Sequence, residues 1–238
     1  MENGQVTGAS TGLDRALTEI IFEKGDTAVS RLSTLKLDVS KPREIIDAFA
    51  AAKEKFGRID VVANNAGRRS FGEEAIEDAD AHDVMETNFW GAANVLREAV
   101  RFFCEVNPMG VGGRLLQMGS GAGLQGLGAM AYYSASKFDN KISVITIIEP
   151  GGFDTPGIGK TAWAPAHPAY SMEELPGDVL RSLLKEPRLQ GDPRKGMEVV
   201  YKLATLEKPP LHFPFGKDAV NLVRAKTVAL LADTEKYE

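Results

Sequence analysis

Tyr133 and Lys137, a tyrosine and a lysine four residues apart, are the side chains best suited by type and spacing to acid–base chemistry. Residues at this spacing lie on one face of a helix. An ammonium group beside the phenol favours the phenolate, so Tyr133 could exchange protons near neutral pH. Helix surfaces also produce this pair by chance, and the pair alone is weak evidence for an active site.

Ser120 is a third candidate, because it closely follows RLLQM, an apolar run typical of a buried strand. The carboxyl ends of parallel strands form the edge at which open α/β sheets bind ligands. A hydroxyl at that edge can donate a hydrogen bond to a substrate oxygen while Tyr133 protonates the same oxygen. The three residues therefore form one candidate site if their segments meet at this edge.

The stretch QVTGASTGLD, Gln5 to Asp14, has the spacing of a glycine-rich turn that holds a dinucleotide, but Asp14 stands where the third glycine would be. A carboxylate at a helix start is stabilised by about 0.3–1 kcal/mol, because it meets exposed amides and the helix dipole. A bound phosphate would use the same amides. Asp14 either replaces that phosphate or caps the helix and points into solvent, and we favour the solvent-facing cap. In both cases its charge should weaken pyrophosphate binding.

Segments with strand and helix periodicity alternate along the chain. The predicted strands are residues 33–39, 59–67, 114–118, 142–152 and 211–216. The predicted helices are residues 11–25, 42–57, 83–106 and 129–140, one that begins at Pro193, and a charged helix that closes the chain. This alternation predicts an α/β fold with a doubly wound, Rossmann-like parallel sheet in a single domain, residues 1–238. Residues 153–191, with a capping box at Ser171 and Glu174, are interpreted as a lid or small substrate lobe.

The composition argues against several classes of protein. A net charge of −5 argues against nucleic acid or an anionic membrane as the main partner. No apolar run approaches the ~20 residues of a membrane span, and no signal peptide is expected. Cys104 is the only cysteine, which excludes an internal disulfide and favours a reducing, cytoplasmic location. The histidines at positions 82, 167 and 212 are too scattered to predict a metal site.

Seven segments resemble, in order and in much of their spacing, the motifs of the short-chain dehydrogenase/reductase family: TGASTGL, LDV, NNAG, NFWGA, MGSGAG, YYSASK and EPGGFDT. The resemblance covers nearly the whole chain, and residues 158–189 match least. It implies an NAD(P)-dependent oxidoreductase that interconverts a carbonyl and an alcohol on a small molecule. Family habit favours NADP over NAD and a homo-oligomer, and the apolar lobe favours a medium-sized hydrophobic substrate.

By this resemblance, four residues correspond to the family's catalytic tetrad. Tyr133 is the general acid and base, and Lys137 favours its phenolate and holds the nicotinamide ribose. Ser120 polarises the substrate carbonyl, and Asn88 supports the water relay that resupplies the proton. The residues implied in cofactor binding are Gly8, Ser10, Gly12, Leu13, Asp38, Val39, Asn65, Ala66, Gly67, Tyr133, Lys137, Pro150, Gly151 and Thr155.

Within the cofactor set, the resemblance implies different contacts for different residues. Residues 65–67 would line the adenosine ribose, Asp38 would meet the adenine amino group, and Thr155 would meet the nicotinamide carboxamide. Arg68 and Arg69 follow directly and could hold an acidic substrate group or a cofactor phosphate, although solvated arginines are the favoured interpretation.

Two segments are shorter than the family pattern requires. Four residues lie between Val29 and Thr34, and they reach ~14 Å at full extension, too little for the helix of a parallel crossover. We therefore predict fewer parallel strands beside the first strand than the family's usual complement. Four residues also separate Lys137 from Ile142, which preserves the catalytic geometry but reduces the surface for dimer packing. The shortened cofactor edge keeps two alternatives open: a non-redox isomerase or cyclase that uses Tyr133, and a catalytically silent binding protein.

Overall fold

One parallel sheet organises the computed structural model of the chain, which describes residues 4–24, 33–72, 78–138, 145–156, 161, 163–164, 177, 179–180, 182 and 191–237. The strands of this sheet lie in the order β1-β2-β3-β4-β5. Their bounds are Gly4–Val6 (β1), Val61–Asn64 (β2), Arg114–Met118 (β3), Ile145–Pro150 (β4) and His212–Phe215 (β5).

Helices connect and cover these strands. Their bounds are Gly12–Glu23 (α1), Pro42–Phe56 (α2), Asp78–Met85 (α3), Ala92–Arg101 (α4), Gly121–Leu124 (α5), Ala131–Phe138 (α6), Pro193–Thr205 (α7) and Lys217–Tyr237 (α8). The predicted long helix over residues 83–106 is confirmed, with π-helical turns at Glu86–Gly91 and Phe102–Val106 inserted into it. Such turns are rare and often lie at functional sites.

Both faces of the sheet carry an apolar core, because side chains along a strand alternate between its faces. Val61 and Ala63 of β2 belong to the core under α1 and α7, whereas Val62 between them belongs to the core under α2 and α4. All four strand pairings are parallel. The predicted doubly wound, Rossmann-like sheet is therefore confirmed.

Local signals in the sequence set several helix starts. Pro42 occupies the first turn of α2, where its missing N–H is not needed. The Asp192 carboxylate accepts hydrogen bonds from the backbone N–H groups of Arg194 and Lys195 and so caps α7. The strand predicted at residues 114–118 is β3 at the same bounds.

The strand predicted at residues 33–39 is wrong: residues 33–38 join no strand, and a turn follows. The Asp38 carboxylate accepts hydrogen bonds from the backbone N–H and the hydroxyl of Ser40, and the Asp38 carbonyl accepts one from Lys41 N–H. This local bonding favours a turn over a strand ladder. Within the described residues, β1 therefore ends the sheet, as the shortened segment predicts; residues 25–32 lie outside the description.

Only parts of the predicted lobe at residues 153–191 are described, and its capping box at Ser171 and Glu174 lies outside them. Trp163 stacks on Phe71 with ring centroids 4.3 Å apart. Among the helices that the structure describes, none is both long and apolar enough to cross a bilayer.

The core under α2 makes a direct test of this packing. The buried ring of Phe49 lies 5.8 Å from the ring of Phe102, and Phe49→Ala should lower the free energy of unfolding by about 3–5 kcal/mol. Ile46→Ala changes an exposed side chain on the same helix and should cost about 0.5 kcal/mol or less. Urea titration of both variants measures the difference, and equal losses would contradict the packing.

Candidate functional site

The glycine turn after β1 lies between two other loops at the carboxyl edge of the sheet. Gly8 and Gly12 have φ values of 80° and 66°, in the left-handed region that favours glycine. A β-carbon on Gly8 would lie 3.4 Å from the Ala66 Cα, and one on Gly12 would lie 3.8 Å from the Thr155 side chain. The turn therefore contacts the loop after β2 and the loop after β4.

Thr7 joins β1 to the loop after β2. Its buried hydroxyl oxygen accepts hydrogen bonds from the backbone N–H groups of Asn65 and Ala66, at 3.0 and 3.1 Å. Sequence reasoning missed this residue, although a hydroxyl directly before Gly8 was an available signal. The Thr7 hydroxyl fixes the position of the segment expected to line the adenosine ribose.

The expectation that Asp14 points into solvent is wrong. Its side chain is buried, with 2% relative exposure. Its Oδ2 atom accepts a hydrogen bond from the Asn65 side-chain amide, and its Oδ1 atom has no hydrogen-bond partner among the described residues. A β-carbon on Gly8 would lie 2.8 Å from Oδ2, so the bare backbone of Gly8 makes room for the inward carboxyl.

Burial raises the pKa of Asp14 to about 8, and the Asn65 hydrogen bond and the Lys137 charge oppose this rise. Near neutral pH the carboxyl therefore holds its proton. The repulsion expected from a charged Asp14 toward a pyrophosphate does not act in this neutral form.

Asn88, in the first π-helical turn, ties the loop after β2 to α6. Its Oδ1 accepts a hydrogen bond from Arg68 N–H at 2.7 Å, and its Nδ2 donates to the Arg68 carbonyl at 2.8 Å and to the Ser136 hydroxyl at 3.0 Å. Ser136 in turn donates to the Tyr133 carbonyl at 2.8 Å. The Asn88 amide group thus donates once to the loop after β2 and once to the segment that carries Tyr133.

Lys137 is buried at the end of β3, where its Nζ donates a hydrogen bond to the Met118 carbonyl at 2.9 Å. The same Nζ lies 6.0 Å from the centroid of the Tyr133 ring, as expected for neighbours on one helix face. Burial holds the pKa of Lys137 below its usual range; the interaction with Tyr133 opposes this shift, and the charge of Arg69 adds to it.

Gly67 lies close to both Asn88 and this lysine. A β-carbon on Gly67 would lie 3.1 Å from the Asn88 Oδ1 and 3.5 Å from the Lys137 Nζ. The structure therefore brings together three segments that the sequence separates: the loop after β2, the π-helical turn and α6.

Ser120 lies after β3 and caps α5, where its Oγ accepts a hydrogen bond from Ala122 N–H at 3.1 Å. Accepting this bond leaves the hydroxyl hydrogen of Ser120 to donate elsewhere. The serine is half-buried and stands beyond the carboxyl end of its strand, at the ligand-binding edge of such sheets.

Other residues of the predicted cofactor set are placed as follows. The Thr155 Oγ1 is buried without a hydrogen-bond partner among the described residues. Pro150 ends β4, and the Gly151 N–H donates to the Phe215 carbonyl at 3.0 Å. Ser10 is exposed in the glycine turn, and Leu13 packs against the core under α1.

Asp38 and Val39 are held at the start of α2. The backbone N–H of Asp38 donates to the Glu44 carboxylate at 2.8 Å, and hydrogen bonds from Ser40 hold the pKa of Asp38 below its usual range. Val39 is buried against the π-helical turn, where a β-carbon on Gly91 would lie 2.8 Å from it. These contacts fix the turn at the start of α2. They do not join Asp38 to the glycine turn after β1.

Arg68 forms a surface ion pair with Asp83, as expected for a solvated arginine. Arg69 is half-buried instead, and its charge reaches Lys137. Within the described part of the chain, no three His, Cys, Asp or Glu side chains are grouped as metal ligands.

Comparison with known proteins places this geometry in context. A family model described as short chain dehydrogenase matches residues 26–142. An uncharacterised oxidoreductase of Schizosaccharomyces pombe is 33% identical over 92% of this chain and 83% of its own length. The crystal structure of a short-chain dehydrogenase from Streptomyces avermitilis superposes with a TM-score of 0.86 and 25% identity, over all of this chain and 96% of that one. A short-chain dehydrogenase from Burkholderia cenocepacia, solved with NADP, has a TM-score of 0.72 and 21% identity, over 98% of this chain and 96% of that one.

The buried carboxyl of Asp14 predicts an unusual dependence of stability on pH. The folded protein holds this proton up to about pH 8, whereas an unfolded chain releases it near pH 4. Between these values the folded state binds more protons, so the free energy of unfolding should fall as pH rises, by up to about 1.4 kcal/mol per pH unit. Asp14→Asn cannot titrate, and urea titrations from pH 5 to pH 8 should show the wild type losing stability relative to it.

Glu19→Gln is the matched control, since Glu19 is an exposed carboxylate on the same helix that pairs with Arg15. Its stability should follow the wild-type profile. Parallel profiles for the wild type and Asp14→Asn would show that Asp14 is ionised in the folded protein.

Proposed function

The chain belongs to the short-chain dehydrogenase family, whose members are NAD(P)-dependent oxidoreductases, and from this premise we propose that it interconverts a carbonyl and an alcohol on a medium-sized hydrophobic molecule. The observation that carries the proposal is the arrangement of Tyr133 and Lys137. They lie on one face of α6, with the lysine Nζ buried at the carboxyl end of β3.

In the proposed reaction, Tyr133 donates its hydroxyl proton to the carbonyl oxygen during reduction and takes a proton from the alcohol during oxidation. The Lys137 ammonium stabilises the phenolate that remains, and Ser120 donates a hydrogen bond to the same substrate oxygen. Asn88 positions Tyr133 through the Ser136 hydroxyl and supports the return of the proton. The chemistry that a bound nicotinamide supplies is hydride transfer at the substrate carbon.

The described residues fit a nicotinamide dinucleotide, with one departure. The left-handed glycines of the turn allow close approach of a pyrophosphate, and the unpartnered Thr155 hydroxyl is available to a carboxamide. Lys137 and residues 65–67 would hold the two riboses. The departure is the Asp14 carboxyl, which lies against Gly8 in the same turn.

NADP is the proposed cofactor in preference to NAD. The common use of NADP in this family supports the choice, and the similar Burkholderia cenocepacia enzyme was solved in complex with NADP. Titration with both reduced nucleotides tests the preference directly.

A hydrophobic substrate is supported by the apolar character of residues 153–191. Trp163 of this segment stacks on Phe71 with ring centroids 4.3 Å apart and joins the segment to the loop after β2. We propose that residues 153–191 form the substrate lobe of a single domain spanning residues 1–238.

We also propose a homo-oligomer, in which α8 supplies part of the interface. Val228 and Leu231 lie three residues apart on this helix and are 67% and 57% exposed, so they form an apolar pair on one face. Leu231→Glu should lower the mass measured by light scattering, whereas Ala229→Glu, at an exposed position about 160° around the same helix, should not. A monomeric wild type would contradict this proposal.

Removing the proton donor tests the proposed chemistry. Tyr133→Phe should lower turnover by about 10²–10⁴-fold, while the dissociation constants of NADPH and NADH stay nearly unchanged. Lys137→Ala should lower both turnover and nucleotide affinity, because the lysine is proposed to contact the ribose. Turnover is followed by absorbance of the reduced nicotinamide with a panel of hydrophobic ketones and alcohols.

Tyr132→Phe provides the control, since Tyr132 is the preceding half-buried tyrosine on the same helix. It should keep full turnover. Full turnover by Tyr133→Phe would remove Tyr133 from the mechanism, and failure of both nucleotides to bind at millimolar concentration would overturn the redox function.

A further inference from the structure

We propose that the Asp14 carboxyl is a proton-controlled gate on dinucleotide binding: when protonated it admits the cofactor pyrophosphate, and when ionised it opposes it. This inference rests on the proposed function, because it concerns the same cofactor site. It assigns to a residue of this chain a role that the family pattern, with a third glycine at this position, does not contain.

The position of the carboxyl is the first observation. Asp14 lies in the first turn of α1, and its Oδ2 atom is 2.8 Å from the point where a β-carbon of Gly8 would stand. The carboxyl therefore lies directly against the backbone that would cradle the pyrophosphate. A carboxyl in this place repels bound phosphates when it is ionised and does not repel them when it is protonated.

The unequal environment of the two carboxyl oxygens is the second observation. Oδ2 accepts a hydrogen bond from the Asn65 amide, whereas Oδ1 is buried without a partner among the described residues. A buried oxygen without a donor is the natural carrier of a proton, since an ionised oxygen there would lack compensation. The protonated carboxyl carries no charge that would repel a phosphate, and the ionised carboxyl does.

Charged groups on the neighbouring elements do not neutralise an ionised Asp14. Lys137 on α6 is the described charge whose field reaches it, but burial outweighs that attraction. On α1 itself, Arg15 pairs with Glu19 at the surface. On α7, which packs against α1, Arg194 pairs with Glu23 at the opposite end of the helix. In the loop after β2, Arg69 acts on Lys137, and Asn65 is neutral.

Dinucleotide binding and the protonation of Asp14 are therefore coupled. If the dinucleotide binds the protonated form, its affinity falls as Asp14 ionises, by up to about tenfold per pH unit once the pH exceeds the carboxyl's pKa of about 8. Below that pH the affinity should be nearly constant. The same coupling raises the pKa of Asp14 when the dinucleotide is bound.

NADH is the right probe for this coupling, because the extra phosphate of NADPH titrates near pH 6, as phosphate monoesters do. The dissociation constant of NADH is measured by fluorescence titration from pH 6.5 to pH 9.5 at constant ionic strength. For the wild type it should rise at least fivefold between pH 7 and pH 9.5. For Asp14→Asn, which keeps the shape and the Asn65 contact without a titrating proton, that rise should disappear.

Two further variants serve as controls for the measurement on Asp14→Asn. Asp14→Gly restores the family residue; it should also lose the pH dependence, and it keeps the test open if Asp14→Asn fails to fold. Glu19→Gln removes an exposed carboxylate from the same helix and should retain the wild-type rise. Lys137 titrates in all four proteins, and its pKa responds to the charge of Asp14. The gate therefore requires that the rise disappear in both Asp14 variants, and a rise that only moves to another pH contradicts it.

The outcomes separate the gate from the proposed function. If the wild type and both Asp14 variants bind NADH with one shared pH profile, the gate is wrong and the oxidoreductase function stands. If no protein binds NADH or NADPH at any pH, the proposed function falls and the gate falls with it. The urea titrations of Asp14→Asn then still report whether the carboxyl titrates in the folded chain.

Discussion

A lysine buried at the end of a parallel sheet is costly unless polar groups surround its ammonium, and the site of this protein is organised around that requirement. The Met118 carbonyl accepts a hydrogen bond from the Lys137 Nζ, which fixes α6 relative to the end of β3. Met118 itself is part of the core under α1 and α7. The position of the ammonium is therefore tied to the packing of the whole sheet.

Two polar side chains near this lysine hold the backbone of the loop after β2. Thr7 holds the backbone of residues 65 and 66, and Asn88 holds the backbone of Arg68 two residues further on. The loop after β2 is thus held at both ends, and Gly67 between these two contacts lies close to the Asn88 side chain, where a β-carbon would be 3.1 Å from Oδ1. A loop fixed in this way can present backbone groups to a ligand without losing further conformational freedom on binding.

The local sequence correctly predicted elements that are apolar and whose hydrophobic periodicity fits only one type of secondary structure. Strand β3 was predictable to the residue because RLLQM is flanked by glycines on both sides. A strand was wrongly predicted at residues 33–39 because Leu35 and Leu37 alternate with polar residues, as in a strand. In the structure Leu35 is 52% exposed and Asp38 forms a turn. Here side-chain hydrogen bonding outweighed β propensity.

The candidate site was predictable in residue identity but not in orientation. Tyr133 and Lys137 share a helix face because four-residue spacing guarantees it. The inward turn of Asp14 depends on an amide 51 residues away in the sequence and on a missing side chain at Gly8. Helix-start chemistry alone favours solvent, and only tertiary structure could reverse that preference.

The π-helical turn at Glu86–Gly91 is a place where this chain can vary in length. A π-helical turn takes up one residue more than an α-helical turn, so the extra residue is absorbed locally and α4 keeps Val95 in the core under α2. Losing one residue here would therefore act on the orientation of Asn88 toward α6 more than on the packing of α4. Gly91 is the exception, because a side chain there would strike Val39.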